Sequence, residues 1–576
     1  MFGYSLPLGL KRKLLRPISR GGNYIEISLP EHLPERIPPI PFFTNISSMH
    51  QVIHHLALLS EEKWVDGIIL RLGQLQLGMG RLSEIYQALV DLKKRGKRLI
   101  VYLNSGESSH YLLASLADLI VMNPAGSLFL PGFRVEIVYL RDTLKKFGVK
   151  PEFERVGRYK SAPEIFTRTS PSQPHREEIQ SILEEITGYY NNTLQKNRKL
   201  SAGGIKKITD SAILTAAEAQ KLKLVDALGF PDEIPRLVEE RWKDKIVMIP
   251  GDQMPLSFHF SPRKPRRQRL AVVFVEGTIR SGESLEDPFQ GTRMTGADTL
   301  VPLLDQIARE KSIVGAVLRV DSGGGSADAS DALWRAVIRL REKKPVVISC
   351  GGMAASGAYY LAAGASEIFS NPLTLTGSIG VFFGKFVIRD LLGKLGANPE
   401  IFKSAERADM LSSFRSLTQK EHALLRRHLE FTYRKMLERI GEGRNMKMRT
   451  LSQLAEGRVW TGTQAVSLNL VDHLGGLSEA IRRAKELAGI SPEDKIPILE
   501  FPRRRSWKKE ILRGMIGGGY ARAGSPIAYL NPVSLSDGFQ ELEDQFRLRN
   551  LTQNPILSLF LSPQNLALAP YFLRIK

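Results

Sequence analysis

At roughly 150 residues per domain, a 576-residue chain has room for about three or four domains, or fewer large α/β units. With 43% hydrophobic and 24% charged residues it can bury sizeable cores, which excludes a small stapled scaffold and a wholly disordered chain. Its one cysteine, Cys350, excludes an intramolecular disulfide framework and a cysteine-built zinc site, and the 81 basic residues against 60 acidic ones leave +21, which points to nucleic acid or an anionic membrane surface as partner.

In chain order, residues 1–22 form a basic segment whose short apolar stretch precedes Lys11, Arg12, Lys13 and Arg16. That order is the reverse of a secretory signal and leaves two readings, an interfacial anchor or a solvated tail. Residues 23–255 then alternate aliphatic runs with helical patterns and form a first α/β repeat. Residues 256–269 are a linker containing Ser261-Pro-Arg-Lys-Pro-Arg-Arg-Gln-Arg269, Pro-rich and strongly basic. Residues 270–490 form a second repeat. Strands are predicted over Leu270 to Glu276, Gly315 to Val320, Val346 to Ser349 and Glu367 to Ser370, and helices near Thr299 to Glu310, Ala327 to Lys343 and Ala354 to Ala363. This alternation predicts stacked βα units around a largely parallel sheet. Residues 491–576 look like an extension outside the repeat. It contains Arg503-Arg-Arg-Ser-Trp-Lys-Lys509, Gly517-Gly-Gly519 and the uncharged stretch Asn550 to Leu573, broken by Pro555, Pro563 and Pro570, which reads as a packed or membrane-touching tail. No run resembles a clean spanning helix of about 20 apolar residues.

The two repeats are copies of one another. A shift of 248 positions carries Gly67-Ile-Ile-Leu-Arg-Leu72 onto Gly315-Ala-Val-Leu-Arg-Val320, Asn123-Pro124 onto Asn371-Pro372, and Gly148, Pro151 and Glu152 onto Gly396, Pro399 and Glu400. Further on, a shift of 246 carries Leu224-Val225-Asp226 onto Leu470-Val471-Asp472.

Two glycine-rich elements of the second copy are candidates for chemistry. Asp321-Ser-Gly-Gly-Gly-Ser326 follows a predicted strand and precedes a helix, so its backbone N–H groups can face a developing oxyanion. Phosphate cradling and a plain tight turn are the rival readings, although no GK[ST] and no complete GxGxxG accompany it. The second element is Gly351-Gly-Met-Ala-Ala-Ser-Gly-Ala-Tyr-Tyr360. Its Ser356 is either the N-cap of the next helix or a nucleophile among small residues that let a peptide backbone approach.

Gly351-Gly-Met-Ala-Ala-Ser-Gly357, Leu373-Thr-Leu-Thr-Gly-Ser-Ile-Gly380 and Val156-Gly-Arg-Tyr-Lys-Ser-Ala-Pro-Glu164 closely resemble the signal peptide peptidase A (protease IV) family in its long, duplicated form. The resemblance spans roughly residues 23 to 490. It implies a tandem duplication of a crotonase/Clp-protease-like unit, with a nucleophile from the second half and a lysine base from the first. Position by position, Ser356 is then the nucleophile, Lys160 the general base and Ser378 the hydroxyl that orients the lysine amine. The N–H groups of Gly324 and Gly325 take the oxyanion role. One departure is Gly323, where the family usually has proline; a glycine there loosens the turn that holds the oxyanion donors.

The internal alignment tests this assignment. Lys160 shifted by 248 lands on Ala408, and Ser378 shifted back lands on Leu130, so each copy lacks what the other supplies. Lys403 is the alternative base, because unduplicated members carry the lysine after the serine, but its ungapped counterpart is Arg155. Ser108, the counterpart of Ser356, has lost the surrounding small residues and reads as a relic or ordinary polar surface. Outside the resemblance, Lys160 would read as a surface lysine and Ser378 as a turn serine.

The resemblance further implies a serine endopeptidase using a Ser/Lys dyad to degrade cleaved signal peptides and other short hydrophobic peptides at a bacterial cytoplasmic membrane. It also implies a homotetramer without metal or cofactor. Attachment would be peripheral, through basic patches drawn to anionic lipid or through the apolar C-terminal tail, with a soluble form as the alternative, and no nucleic acid is expected as partner because no RRM, KH or zinc signature is present. The competing classes are a crotonase-type acyl-CoA enzyme and a non-catalytic basic scaffold that binds membrane or nucleic acid.

Overall fold

The computed structural model describes residues 22–37, 47–251, 268–286, 293–502 and 564–568. The basic N-terminal cluster, most of the basic linker, Arg503–Lys509 and Gly517–Gly519 lie outside the described residues.

Aliphatic and β-branched runs build two sheets of matching topology. In the first, Val247–Pro250, Asn23–Leu29, Gly67–Leu72, Arg98–Leu103, Leu119–Met122 and Ala227–Leu228 lie side by side, every pair parallel. In the second, Ile498–Phe501, Arg269–Glu276, Ile313–Ser322, Val346–Ala355, Glu367–Ser370 and His473–Leu474 repeat the order, again all parallel. The second sheet therefore continues past residue 490. Strands covered on both faces read as unbroken apolar runs rather than alternating ones, as in Gly67-Ile-Ile-Leu70 and Ala271-Val-Val-Phe-Val275, which are buried throughout. The fold is a tandem duplication of a crotonase/Clp-protease-like α/β unit.

Helix signals repeat as well. Gln173–Arg198 and Gln419–Arg444 are both 26 residues long and correspond at a shift of 246. Each starts at a hydroxyl cap, Ser172 accepting from the His175 N–H and Thr418 from the Glu421 N–H, and each stops at a left-handed residue, Lys199 and Asn445. Among the described residues no helix is long and apolar enough to cross a membrane.

The copies interlock rather than sitting as separate beads. Lys150–Val156 of the first pairs antiparallel with Val381–Val387 of the second along all seven residues. Phe153 and Phe166 pack on Phe386 with centroids 5.5 and 5.3 Å apart. Leu373 and Val459 of the second copy enter the first copy's core. Buried ions also cross the junction. The guanidinium of Arg319 is held by Glu35 at 2.9 Å and Glu84 at 2.6 Å, both from the first copy.

One predicted element is displaced in a way that matters. The strand beginning at Val346 runs on to Ala355, because Met353–Ala355 pair with Leu375–Gly377, and the following helix is Gly357–Ala362 instead of starting at Ala354. Ser356 stands alone at the break.

Candidate active site

The strand-to-helix corner gives Ser356 φ 57° and ψ −120°. A non-glycine residue there carries strain of about 1–3 kcal/mol, a cost tolerated where surrounding structure dictates it and one that clusters at functional sites. Ser356 occupies the N-cap position, yet its side chain accepts no helix N–H. The cap reading of this serine therefore fails and its hydroxyl is left for another partner. Its backbone is fixed by the Ser356 N–H donating to the Gly377 carbonyl at 2.7 Å.

That partner is Lys160. Lys160 Nζ lies 2.8 Å from Ser356 Oγ, 3.0 Å from Ser378 Oγ and 2.9 Å from the Ser378 carbonyl. All three residues are 0% exposed. Ser378 also has positive φ, 51°, and its N–H donates to the Arg458 carbonyl at 2.7 Å. The loop carrying Lys160 is seated on residues 456–457 of the second copy. There the Tyr159 N–H donates to the Glu456 carbonyl at 2.8 Å.

Burial dominates the electrostatics. Removal from water pushes the Lys160 amine down from its ordinary value to about 7, opposed by the charge of Glu178. Glu178 is itself pushed up to about 8 by burial, against the Val459 N–H at 2.6 Å, Ser161 Oγ at 3.3 Å and the charges of Lys160 and Arg458. Low dielectric thus favours neutral forms of both. A neutral amine has two N–H donors and one lone pair. Two acceptors on Ser378 and one hydroxyl on Ser356 match that inventory.

Gly324 and Gly325 form the short strand Gly324–Ser326, beside Thr278–Arg280. Gly324 has φ 98°, open to glycine and not to other residues, and a Cβ on Gly325 would lie 1.9 Å from the Ile279 carbonyl oxygen. The Gly324 N–H donates to Ser322 Oγ at 3.1 Å. A Cβ built on Gly357, the residue after Ser356, would lie 3.3 Å from the Gly325 nitrogen, so this strand borders the Ser356 corner.

A family model described as "Peptidase family S49" matches this chain twice, over residues 91–243 and 338–491. The chain belongs to peptidase family S49. Its similarity to "Protease 4" of Haemophilus influenzae is 30% identity over 480 residues, covering 79% of this chain and 74% of that protein. "Serine protease SPPA, chloroplastic" of Arabidopsis thaliana is 29% identical over 529 residues, 89% of this chain and 76% of the relative. "Protease 4" of Salmonella typhi is 29% identical over 458 residues, 77% and 72% respectively. The signal peptide peptidase A resemblance read from the motifs therefore holds over most of the chain, and the enzyme class is serine endopeptidase rather than acyl-CoA enzyme or non-catalytic scaffold.

Other candidates lie elsewhere in this S49 peptidase. Lys403 is 41% exposed and its amine pairs with Asp409 at 3.2 Å and the Glu406 carbonyl at 3.0 Å. Ser108 begins the helix Ser108–Ala114, and the neighbouring His110 imidazole is taken by the Gly73 carbonyl at 2.6 Å and the Glu107 N–H at 3.1 Å. Cys350 is buried, its thiol pushed up to about 12 by burial.

Sequence reasoning missed the residues that hold the site. Glu178 is one; the signal was an acid in the apolar stripe His175, Ile182, Ile186, Tyr190 of its helix. Arg81 is another. It bonds the Leu33 carbonyl and pairs with Asp321, whose other oxygen accepts the Met353 N–H at 3.0 Å, tying the glycine turn to the strand that leads into Ser356. No spacing marks a pair 240 positions apart.

Proposed function

We infer that this S49 peptidase cleaves peptide bonds with a dyad shared between its two copies, Ser356 as nucleophile and Lys160 as general base. The observation that carries the reading is the 2.8 Å contact between Lys160 Nζ and Ser356 Oγ inside a fully buried site. With two N–H donors spent on Ser378, the amine lone pair of neutral Lys160 faces the Ser356 hydroxyl and takes its proton as Oγ attacks the scissile carbonyl carbon. The resulting ammonium then protonates the leaving amine, and Lys160 deprotonates the water that releases the acyl group. The N–H groups of Gly324 and Gly325 receive the oxyanion, the former after giving up its bond to Ser322.

The substrates are cleaved signal peptides and other short hydrophobic peptides. This part of the reading rests on the motif resemblance and on the small residues that flank Ser356 in the sequence. The enzyme acts as a homotetramer, held peripherally at the cytoplasmic membrane of a bacterium by anionic lipid, a reading supported by the +21 charge. Nucleic acid is not a partner in this reading.

The test is turnover of a quenched, unstructured, leucine- and alanine-rich peptide by wild type, Ser356→Ala, Lys160→Ala and Lys403→Ala over about pH 6 to 10. Loss in the first two variants and retention in the third supports the shared dyad; full activity in Lys160→Ala overturns it. Sedimentation with anionic and neutral vesicles at several salt concentrations tests the membrane reading, with salt-sensitive binding to the anionic vesicles expected.

A further inference from the structure

The loop that carries Lys160 lies outside every strand ladder. Residues 157–163 run between the strand Lys150–Val156 and the short helix Glu164–Thr167. Within them the Lys160 N–H donates to the Gly157 carbonyl at 3.1 Å and the Ser161 N–H to the Tyr159 carbonyl at 2.7 Å. These local bonds fix N–H groups and leave the Lys160 carbonyl to find a donor elsewhere. Lys160 is wholly buried, so solvent does not reach that oxygen, and a buried carbonyl without a donor would turn its peptide to find one.

The donor is Arg155. Its Nη1 lies 2.9 Å from the Lys160 carbonyl oxygen and 2.8 Å from Glu164 Oε1, so one nitrogen bridges the middle and the end of the loop. Glu164 is itself anchored. Its side chain is buried, its Oε2 accepts the Ser172 N–H at 2.9 Å, and His175 Nδ1 stands 3.5 Å from the same oxygen. Burial pushes this carboxyl up, but the hydrogen bonds from His175, Ser172 and Arg155 outweigh it and hold the group down at about 2, so the anchor is charged at neutral pH. Arg155 reaches the loop from a strand that the second copy fixes. It stands opposite Phe382 in the pairing of Lys150–Val156 with Val381–Val387, which begins three residues after Ser378.

The second copy repeats the device without the base. At the shift of 248 Arg155 becomes Lys403, whose amine bridges the Glu406 carbonyl at 3.0 Å and the Asp409 carboxylate at 3.2 Å. A cation that ties a loop carbonyl to a carboxylate further along the chain thus recurs in both copies. Only in the first does the braced carbonyl belong to the residue whose amine meets Ser356.

We propose that Arg155, seated on Glu164, is a positioning residue for the peptidase reaction: by holding the Lys160 carbonyl it fixes the peptide from which the lysine stem departs, and so keeps Nζ on Ser356 Oγ. The proposal deepens the dyad reading and rests on it for the role of Lys160. Loss of the brace lets the 160–161 peptide turn, and a shift of about 1 Å at the reacting nitrogen costs roughly 100-fold in rate. The brace acts on the base and not on substrate, so the loss falls on kcat.

The test compares full-length wild type, Arg155→Ala and Arg155→Lys on the quenched peptide. Arg155→Ala is expected to lower kcat about 100-fold with KM within about 2-fold of wild type and an unchanged circular dichroism spectrum. The Arg155 side chain is 33% exposed, so the space it vacates opens to solvent. Guanidinium chloride at about 50 mM is expected to raise kcat of Arg155→Ala at least about 10-fold, where sodium chloride at the same concentration does not. Lysine keeps a cation beside Glu164, but its amine stops one bond short of the Nη1 position, and Arg155→Lys is expected to lose about 10-fold in kcat. Wild-type kcat in Arg155→Ala, or in Arg155→Lys should the alanine variant not fold, overturns the proposal. A loss carried by KM, or one that guanidinium leaves untouched, overturns it as well.

Amide hydrogen exchange gives a readout that needs no turnover. In Arg155→Ala the Lys160 and Ser161 N–H groups are expected to exchange at least about 10-fold faster than in wild type and to slow again in guanidinium. Exchange unchanged from wild type overturns the brace. If Lys160→Ala keeps full activity, the dyad reading fails, while the exchange result still decides whether Arg155 holds the loop.

Discussion

Gly457 lies against the backbone of Lys160, so close that a Cβ on Gly457 would sit 2.5 Å from the Lys160 nitrogen and 2.7 Å from its Cα. Gly457 belongs to the second copy and has φ 84°; its N–H donates to the Ile379 carbonyl at 2.7 Å, one residue beyond Ser378. Lys160 and Ser378 are thus positioned by one bend of chain. Gly457→Ala is expected to push the Lys160 loop away from Ser356 and to add left-handed strain. Displacement of a reacting group by about 1 Å costs roughly 100-fold in rate, so kcat/KM should fall by about that factor with the circular dichroism spectrum unchanged. A thermal melt should report destabilisation of about 1–3 kcal/mol.

Protonation of Lys160 should set the acid side of the pH profile. Below its value of about 7 the amine carries a third proton and has no lone pair for the Ser356 hydroxyl, so kcat/KM should fall as pH drops through that value and rise above it. The groups facing the amine are the Ser356 and Ser378 hydroxyls and the Ser378 carbonyl, with the Glu178 carboxyl, among the described residues, the one titratable group acting on it. Negative charge on Glu178 would raise the lysine value, but this carboxyl, pushed up to about 8, is largely protonated where Lys160 titrates, so Glu178→Gln, which keeps an acceptor for the Val459 N–H, should move the acid limb to lower pH by only a small amount. A pH–rate profile of both proteins checks the direction.

Ser378→Ala should be a partial lesion. The hydroxyl at 3.0 Å is lost, yet the Ser378 carbonyl at 2.9 Å still fixes one N–H of the amine. A kcat reduction of about 10- to 100-fold with KM nearly unchanged is expected, since the hydroxyl orients the base and does not bind substrate. Steady-state kinetics separates the two parameters.

Arg319 should be a stability residue. It is fully buried, and its removal leaves Glu84 without its cation and Glu35 with Arg81 alone, at 3.1 Å, in a cluster that also takes the Leu477 N–H at 2.9 Å. Arg319→Ala should cost about 3–5 kcal/mol in a denaturant titration, because breaking a buried pair strands the remaining charges. Its counterpart Arg71, partly exposed and paired with Glu26, should cost about 0–1 kcal/mol when replaced by Ala.

The sequence alone determined the duplication, the parallel α/β class and the motif segments of the site. These rest on the alternation of aliphatic runs with helical patterns, on three short motifs, and on self-similarity at 248 and 246 positions, all of which are carried by the order of residues along the chain. Ser356, Lys160 and Ser378 were named from the family resemblance of their motifs, and the complementary differences between the two copies agree with that assignment. Only the tertiary structure decided that Ser356 sits at a strained corner instead of inside a helix, because the strand continues to Ala355 through pairing with Leu375–Gly377. It alone brought Glu178 to Lys160, Arg81 to Asp321 and Gly457 onto the base loop. It also set residues 564–568 between two strands of the catalytic sheet. Each of these pairings joins segments hundreds of residues apart or distant in topology, and their strength comes from desolvation and close packing that arise only when the two copies fold against each other.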